Sequence, residues 1–149
     1  MCIELQEITR ENWVGCIHLS LYPEQEKYVA SNVDSIAESK FYPNHQLRAI
    51  YLKDKMIGFL AFCVEDDPST PDLYWIFRFM VDKKFQGRGY GTKALQLAIE
   101  EIKSLGAKRI QTMHKPNNKI AAKLYQKLCF SYIGSLDDGD LLMEMVINQ

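Results

Sequence analysis

Residues 3–8, Ile-Glu-Leu-Gln-Glu-Ile, alternate apolar and polar side chains with a period of two, the spacing of a half-buried strand. Thr9 then offers an N-cap for a short helix with Trp13, Cys16 and Ile17 on one face. Pro23 opens a polar stretch, after which Val29, Val33, Ile36 and Ala37 recur at helical spacing until Phe41-Tyr42-Pro43 stops the pattern. Leu47 to Leu52 and Met56 to Val64, joined through Lys53-Asp54-Lys55, predict a β-hairpin. Leu73 to Val81 is apolar on both faces except at Arg78, which suits a central strand covered on both sides.

A glycine-rich loop at 87–91 follows, and Ala94, Leu95, Leu97, Ala98, Ile99 and Ile102 then predict a helix that closes at Gly106. Arg109 to Met113 is the next strand. Pro116-Asn117-Asn118 caps a helix in which Ala121, Leu124, Tyr125 and Leu128 share a face. Phe130 to Gly134 and Leu141 to Ile147 flank the turn Asp137-Asp138-Gly139-Asp140 as two final strands. The order βααβββαβαββ predicts an α/β or α+β fold with a mixed sheet. No linker, repeat or low-complexity stretch divides the 149 residues, so one domain over 1–149 is expected.

With 47% hydrophobic and 25% charged residues, the chain can bury a core, and disordered or fibrous classes are excluded. The net charge of −1 argues against a surface built to grip nucleic acid or anionic lipid. That balance hides a segregation: the net charge is −4 over residues 1–45, −2 over 46–72, +9 over 73–135 and −4 over 136–149. An anion-handling segment between acidic flanks suggests two ligands of opposite charge, although solvated faces of unrelated elements give the same count.

Cys2, Cys16, Cys63 and Cys129 show no CxxC spacing, and His18, His45 and His114 stand apart, so no metal site is expected. Reduced thiols and the lack of a leader or membrane-spanning pattern predict a cytoplasmic protein.

The most specific feature is Gln86-Gly87-Arg88-Gly89-Tyr90-Gly91, between an apolar strand and a long helix. Glycines at alternate positions allow a tight turn that gathers backbone N–H groups at a helix N-terminus, a cradle for phosphate or pyrophosphate. A P-loop would need Gly-Lys-Ser/Thr, but Gly91 is followed by Thr92-Lys93. A dinucleotide fingerprint would need glycine or alanine at position 92, after the first strand of the fold.

Gln86-x-x-Gly89-x-Gly91 resembles the acyl-CoA loop of the GNAT family of N-acetyltransferases. Asn118-x-x-Ala121-x-x-Leu124-Tyr125-x-x-x-Cys129-Phe130 resembles that family's downstream element, with cysteine where glycine is usual. A narrower likeness, through residues 26–37 and the strand at 74–78, is to bacterial spermine/spermidine acetyltransferases.

The resemblance implies a mostly antiparallel sheet of about seven strands flanked by about four helices, acetyl-CoA as cosubstrate, and homodimerisation. It implies that Phe79, Met80 and Val81 pair with the pantetheine arm through their main chain. It places Gln86, Gly87, Arg88, Gly89, Tyr90 and Gly91 at the pyrophosphate, with Asn118 and Ala121 also at the cofactor. Tyr125 carries over as the proton donor to the departing thiolate.

The acceptor would be a small amine, a polyamine first; another amine, or a CoA-binding sensor without turnover, are the alternatives. Glu24, Glu26, Asp34 and Glu38 are the candidate acidic lining for a polycation, and an exposed helix face explains them equally well. No carboxylate on the central strand matches a general base, which leaves Glu65, Asp66, Asp82 or water. Cys129, before Phe130 at the end of an apolar helix, is expected in the core.

Overall fold

A computed structural model describes residues 2–148. Seven strands form one sheet in the order β1-β2-β3-β4-β5-β7-β6. These are β1 (Ile3–Glu7), β2 (Gln46–Leu52), β3 (Lys55–Val64), β4 (Leu73–Val81), β5 (Arg109–His114), β6 (Ser131–Ser135) and β7 (Leu141–Val146). The four helices are α1 (Trp13–Ile17), α2 (Asn32–Ser39), α3 (Tyr90–Ser104) and α4 (Lys119–Lys127). Every strand pair is antiparallel except β4 with β5. The expected element order and mostly antiparallel sheet are observed, with β4 in the middle.

On one face, Ala94, Leu95, Ala98, Ile99 and Ile102 of α3 and Tyr125 and Leu128 at α4 bury against Ile50, Leu60, Phe62, Ile76 and Ile110 of the sheet. On the other, Cys16 packs with Phe59, Ala61 and Met80, joined by Val29, Ile36 and Phe77.

The N-terminal helices depart from the expected pattern. Residues 9–12 form a turn, so α1 begins at Trp13, which is exposed. The single helix expected from Val29 to Ala37 is two elements: a 3-10 turn at Pro23–Tyr28, then α2, capped by the Ser31 hydroxyl, which accepts from Asp34 N. Starting the helix at Asn32 turns its buried face to Asn32, Ser35 and Ile36, leaving Val33 and Ala37 outside. The Ser31 cap overrode the apolar spacing.

Two irregularities position the central strand. Gly58 of β3 lies where a Cβ would stand 2.5 Å from the Met80 carbonyl oxygen, so only glycine lets β3 and β4 approach. Opposite Ala61 and Phe62, β4 carries an extra residue, Phe77, in a β-bulge. Such a bulge bends its strand and re-aims the side chains around it. Phe77 accordingly packs against the cluster of Cys16, Phe59, Ala61 and Met80, and the adjacent Arg78 reaches Glu38 on α2.

Candidate active site

The bulge coincides with a split in the sheet. β4 and β5 pair only from Leu73↔Arg109 to Ile76↔Thr112, and the Thr112 hydroxyl donates to the Ile76 carbonyl at 2.8 Å, closing the fork. Beyond it, Phe77–Val81 have no strand partner on the β5 side, which leaves main-chain donors and acceptors facing a cleft of about 910 Å³. An extended ligand bearing amides can take the place of the missing strand.

At the open end of β4, the Asp82 carboxylate accepts from Lys84 N at 3.0 Å and from Ser20 N at 2.9 Å, fixing the turn into the glycine loop. Gln86 Nε2 donates to the Val81 carbonyl at 2.9 Å. Gly87 and Gly89 have φ of +76° and +84°, and Gly89 is the N-cap of α3. The N–H of Lys93 bonds back to the Gly89 carbonyl, so the preceding N–H groups have no acceptor within the helix. They sit at the positive end of a 15-residue helix dipole, within the segment 73–135 whose net charge is +9.

Across the fork, Asn118 caps α4 by accepting from Ala121 N at 3.2 Å, and α4 presents Ala121, Leu124 and Tyr125 to the cleft. Tyr125 is buried edge-on against Phe130 at 5.5 Å between ring centres. Burial pushes its phenol above the ordinary tyrosine range, while the neighbouring Thr112 hydroxyl pulls the other way.

A strap from Leu21 to Ala30 roofs the cleft. It is tied to the glycine-loop wall through Gln25 and Gln86, and to the α4 wall by the Tyr28 hydroxyl, which donates to the Asn117 carbonyl at 3.5 Å.

Of the expected cofactor residues, Phe79, Met80, Val81, Gln86, Gly87, Gly89, Gly91, Asn118, Ala121 and Tyr125 line this cleft together. Arg88 is exposed at the loop surface and Tyr90 packs toward the core, and neither is in the lining. Glu24, Glu26 and Asp34 are exposed and outside the lining, and Glu38 stands behind the lining residue Arg78, 3.5 Å from its guanidinium.

Among the carboxylates considered as bases, Asp82 is occupied as described. Asp66 accepts from Asn44 at 2.9 Å, Glu65 accepts from Asp66 N at 2.8 Å, and neither lines the cleft. Cys129 is exposed rather than in the core, with φ of +74°: it takes the left-handed turn after α4 that glycine would adopt without strain. Burial pushes the thiols of buried Cys16 and half-buried Cys63 up to about 12, so they remain protonated.

The sequence reading did not single out Gln25, Tyr28, Lys115 or Asp140, all of which line the cleft. Their side chains meet partners 61, 89 and 25 positions away along the chain, and no local spacing announces such contacts. Among the described residues, no group of three or more His, Cys, Asp or Glu is gathered to hold a metal ion, and no helix is long and apolar enough to cross a membrane.

A forked β4/β5 pair with a glycine loop at the next helix N-terminus makes a cleft fit for an extended, phosphate-bearing acyl donor. The model of the Acetyltransferase (GNAT) family matches residues 4–130, and the chain belongs to that family, whose members transfer acetyl from acetyl-CoA. A probable spermine N(1)-acetyltransferase of Bacillus subtilis subsp. natto is 28% identical over 148 residues, covering 96% of this chain and 97% of that protein. The [ribosomal protein bS18]-alanine N-acetyltransferase of Salmonella typhimurium is 30% identical over 99 residues, covering 64% of each chain. The aminoglycoside acetyltransferase AAC(6')-Ib in complex with coenzyme A shares the fold with a TM-score of 0.82 at 17% identity, over 97% of this chain and 95% of that one. The PaiA N-acetyltransferase of Thermoplasma acidophilum, also with coenzyme A, gives 0.75 at 17% identity, over 99% and 100%.

Proposed function

We propose that the protein transfers the acetyl group of acetyl-CoA to a primary amine of a polyamine such as spermidine or spermine, by direct attack within a ternary complex in the cytoplasm. The observation that carries this reading is the unpaired edge of β4, which runs from the glycine loop to a fork walled by Tyr125. The choice of a polyamine is supported by the spermine acetyltransferase relatives, similar over nearly their whole length.

Bound acetyl-CoA supplies the reactive thioester. The N–H groups of the glycine loop and of the first turn of α3 hold its pyrophosphate, and the main chain of Phe79–Val81 pairs with its pantetheine arm. An N–H on that edge donates to the thioester oxygen as negative charge grows there; one such preorganised donor is typically worth about 10²–10³ in rate. The neutral amine nitrogen bonds to the acetyl carbon, water removes its extra proton, and the carbon–sulfur bond breaks. Tyr125, kept protonated by burial, gives its proton to the departing sulfur.

The test is a thiol-release assay with acetyl-CoA against spermidine, spermine, putrescine, short monoamines, aminoglycosides and peptides with free N-termini. Polyamines are expected to give the highest kcat/KM. Preferred turnover of an N-terminal peptide would favour the second reading, which the ribosomal-protein relative supports.

A further inference from the structure

The charged side chains along the cleft are unequal in sign. Lys27, Arg78 and Lys115 contribute cations, whereas Asp140 is the one carboxylate in the lining. A cationic acceptor needs an anionic counterpart on the wall, and Glu38 is screened from the cleft by Arg78.

Asp140 sits where the β6–β7 turn enters β7, beside the end of β5, because His114 of β5 pairs with Leu141. Its backbone is held on both sides: Asp140 N donates to Asp138 Oδ1 at 2.9 Å, and the Asp140 carbonyl accepts from Leu136 N at 2.8 Å. The residue is only 9% exposed. Lys115 Nζ lies 2.9 Å from Asp140 Oδ1 as an ion pair, and its hydrogen bond to that carboxylate holds the ammonium above the ordinary lysine range. The carboxylate is thus compensated by a flexible cation, whose place another ammonium can take. Lys115 is itself 39% exposed along its side chain, so its ammonium can swing to water once another cation takes its place on Asp140.

We infer that Asp140 anchors an ammonium group of the acceptor, with Lys115 as the resident cation that the acceptor displaces. The inference rests on the polyamine reading. A substrate with several amino groups supplies one neutral nitrogen for attack and another, still protonated, for the anchor. A monoamine has no second cation to offer.

The two members of the pair predict effects of opposite sign. A hydrogen-bonded charge contact is worth enough that Asp140→Asn should raise the spermidine KM about tenfold or more. The acetyl-CoA KM should stay within about twofold and the butylamine KM should hardly change. Lys115→Met removes the competitor, so it should lower the spermidine KM severalfold and enlarge the rise in Tm that spermidine produces. The double variant should behave as Asp140→Asn does, because Lys115 acts only through Asp140.

An unchanged spermidine KM in folded Asp140→Asn overturns the anchor and leaves the polyamine reading intact. If Asp140→Asn does not fold, Lys115→Met carries the test alone, and a spermidine KM that is unchanged or higher overturns the anchor. Wild-type protein that acetylated no polyamine would overturn both.

Discussion

Gln25 and Gln86 hold each other by both ends of their amides: Gln25 Nε2 donates to Gln86 Oε1 at 3.0 Å, and Gln86 Nε2 donates back to Gln25 Oε1 at 2.9 Å. Gln86 begins the glycine loop, while Gln25 belongs to the strap over the cleft, so the pair ties the glycine loop to the strap. Each hydrogen bond is worth about 1 kcal/mol net, and Gln25→Ala should raise the KM of both acetyl-CoA and the amine severalfold with little change in kcat. Adding Gln86→Ala should cost less than the sum of the single changes. Steady-state kinetics on the three variants checks this; unchanged KM values in Gln25→Ala would reduce the pair to a surface contact.

Gly89 and Gly106 provide a matched pair for testing the phosphate cradle. Both have positive φ, +84° and +97°, and at both a Cβ would meet no atom within 4 Å. Substituting alanine at either should therefore cost about 1 kcal/mol of stability through the backbone alone. Only Gly89 lines the cleft, so Gly89→Ala should weaken CoA binding at least tenfold while Gly106→Ala leaves it unchanged. Calorimetric titration with CoA separates the two, and equal affinities would remove the loop from the pyrophosphate site.

Tyr125→Phe keeps the ring packed against Phe130 and removes only the hydroxyl. We expect kcat to fall more than about tenfold with acetyl-CoA affinity nearly unchanged. Burial holds the phenol above its ordinary value, so loss of its proton removes activity only above the ordinary tyrosine range. Below that, activity should rise with pH as the acceptor ammonium deprotonates, and Tyr125→Phe should lower the curve without moving that limb. An alkaline loss below about pH 9 that disappears in the phenylalanine variant would show a more acidic phenol than burial allows.

The part of this site written in local spacing is the part the sequence made legible. The loop from Gln86 to Gly91 and the α4 face with Ala121, Leu124 and Tyr125 are contiguous, and both meet at the cleft. The fork was not legible, because it depends on a bulge at Phe77 and a register that stops at Ile76↔Thr112. Nor were the charge pairs. Arg78 and Glu38 stand 40 positions apart in sequence, so the early acidic residues looked like one lining until the fold set Glu38 against Arg78 and left Glu24, Glu26 and Asp34 at the surface.

Cys129 occupies a left-handed turn with φ of +74° and is exposed. A side chain in that conformation is strained, whereas glycine is not, although glycine also gains freedom in the unfolded chain. Cys129→Gly should stabilise the protein by about 0.5–1 kcal/mol net, raising Tm by a few degrees. Thermal unfolding under reducing conditions measures it, and a lower Tm would mean that the thiol makes a compensating contact.

Glu38 supplies the last prediction, because it is the one early acidic residue coupled to a cleft-lining group. Its Oε1 lies 3.5 Å from Arg78 Nη2 and 3.7 Å from His45 Nδ1. Burial holds His45 below the ordinary histidine range, with the Glu38 charge pulling the other way, so at neutral pH Glu38 mainly offsets Arg78. Glu38→Gln leaves the Arg78 guanidinium uncompensated on the wall, and a polycationic acceptor should bind more weakly. We expect the spermidine KM to rise severalfold at low salt and the effect to shrink toward 0.5 M salt, as the Debye length falls from about 10 Å at 0.1 M. Arg78→Met in the same chain should restore most of the loss, since the repelling charge is then gone. Amide variants of the exposed Glu24, Glu26 and Asp34 should each act more weakly, through a field that water and salt screen. A spermidine KM in Glu38→Gln equal to that of the wild type at low salt would show that Arg78 does not reach the acceptor.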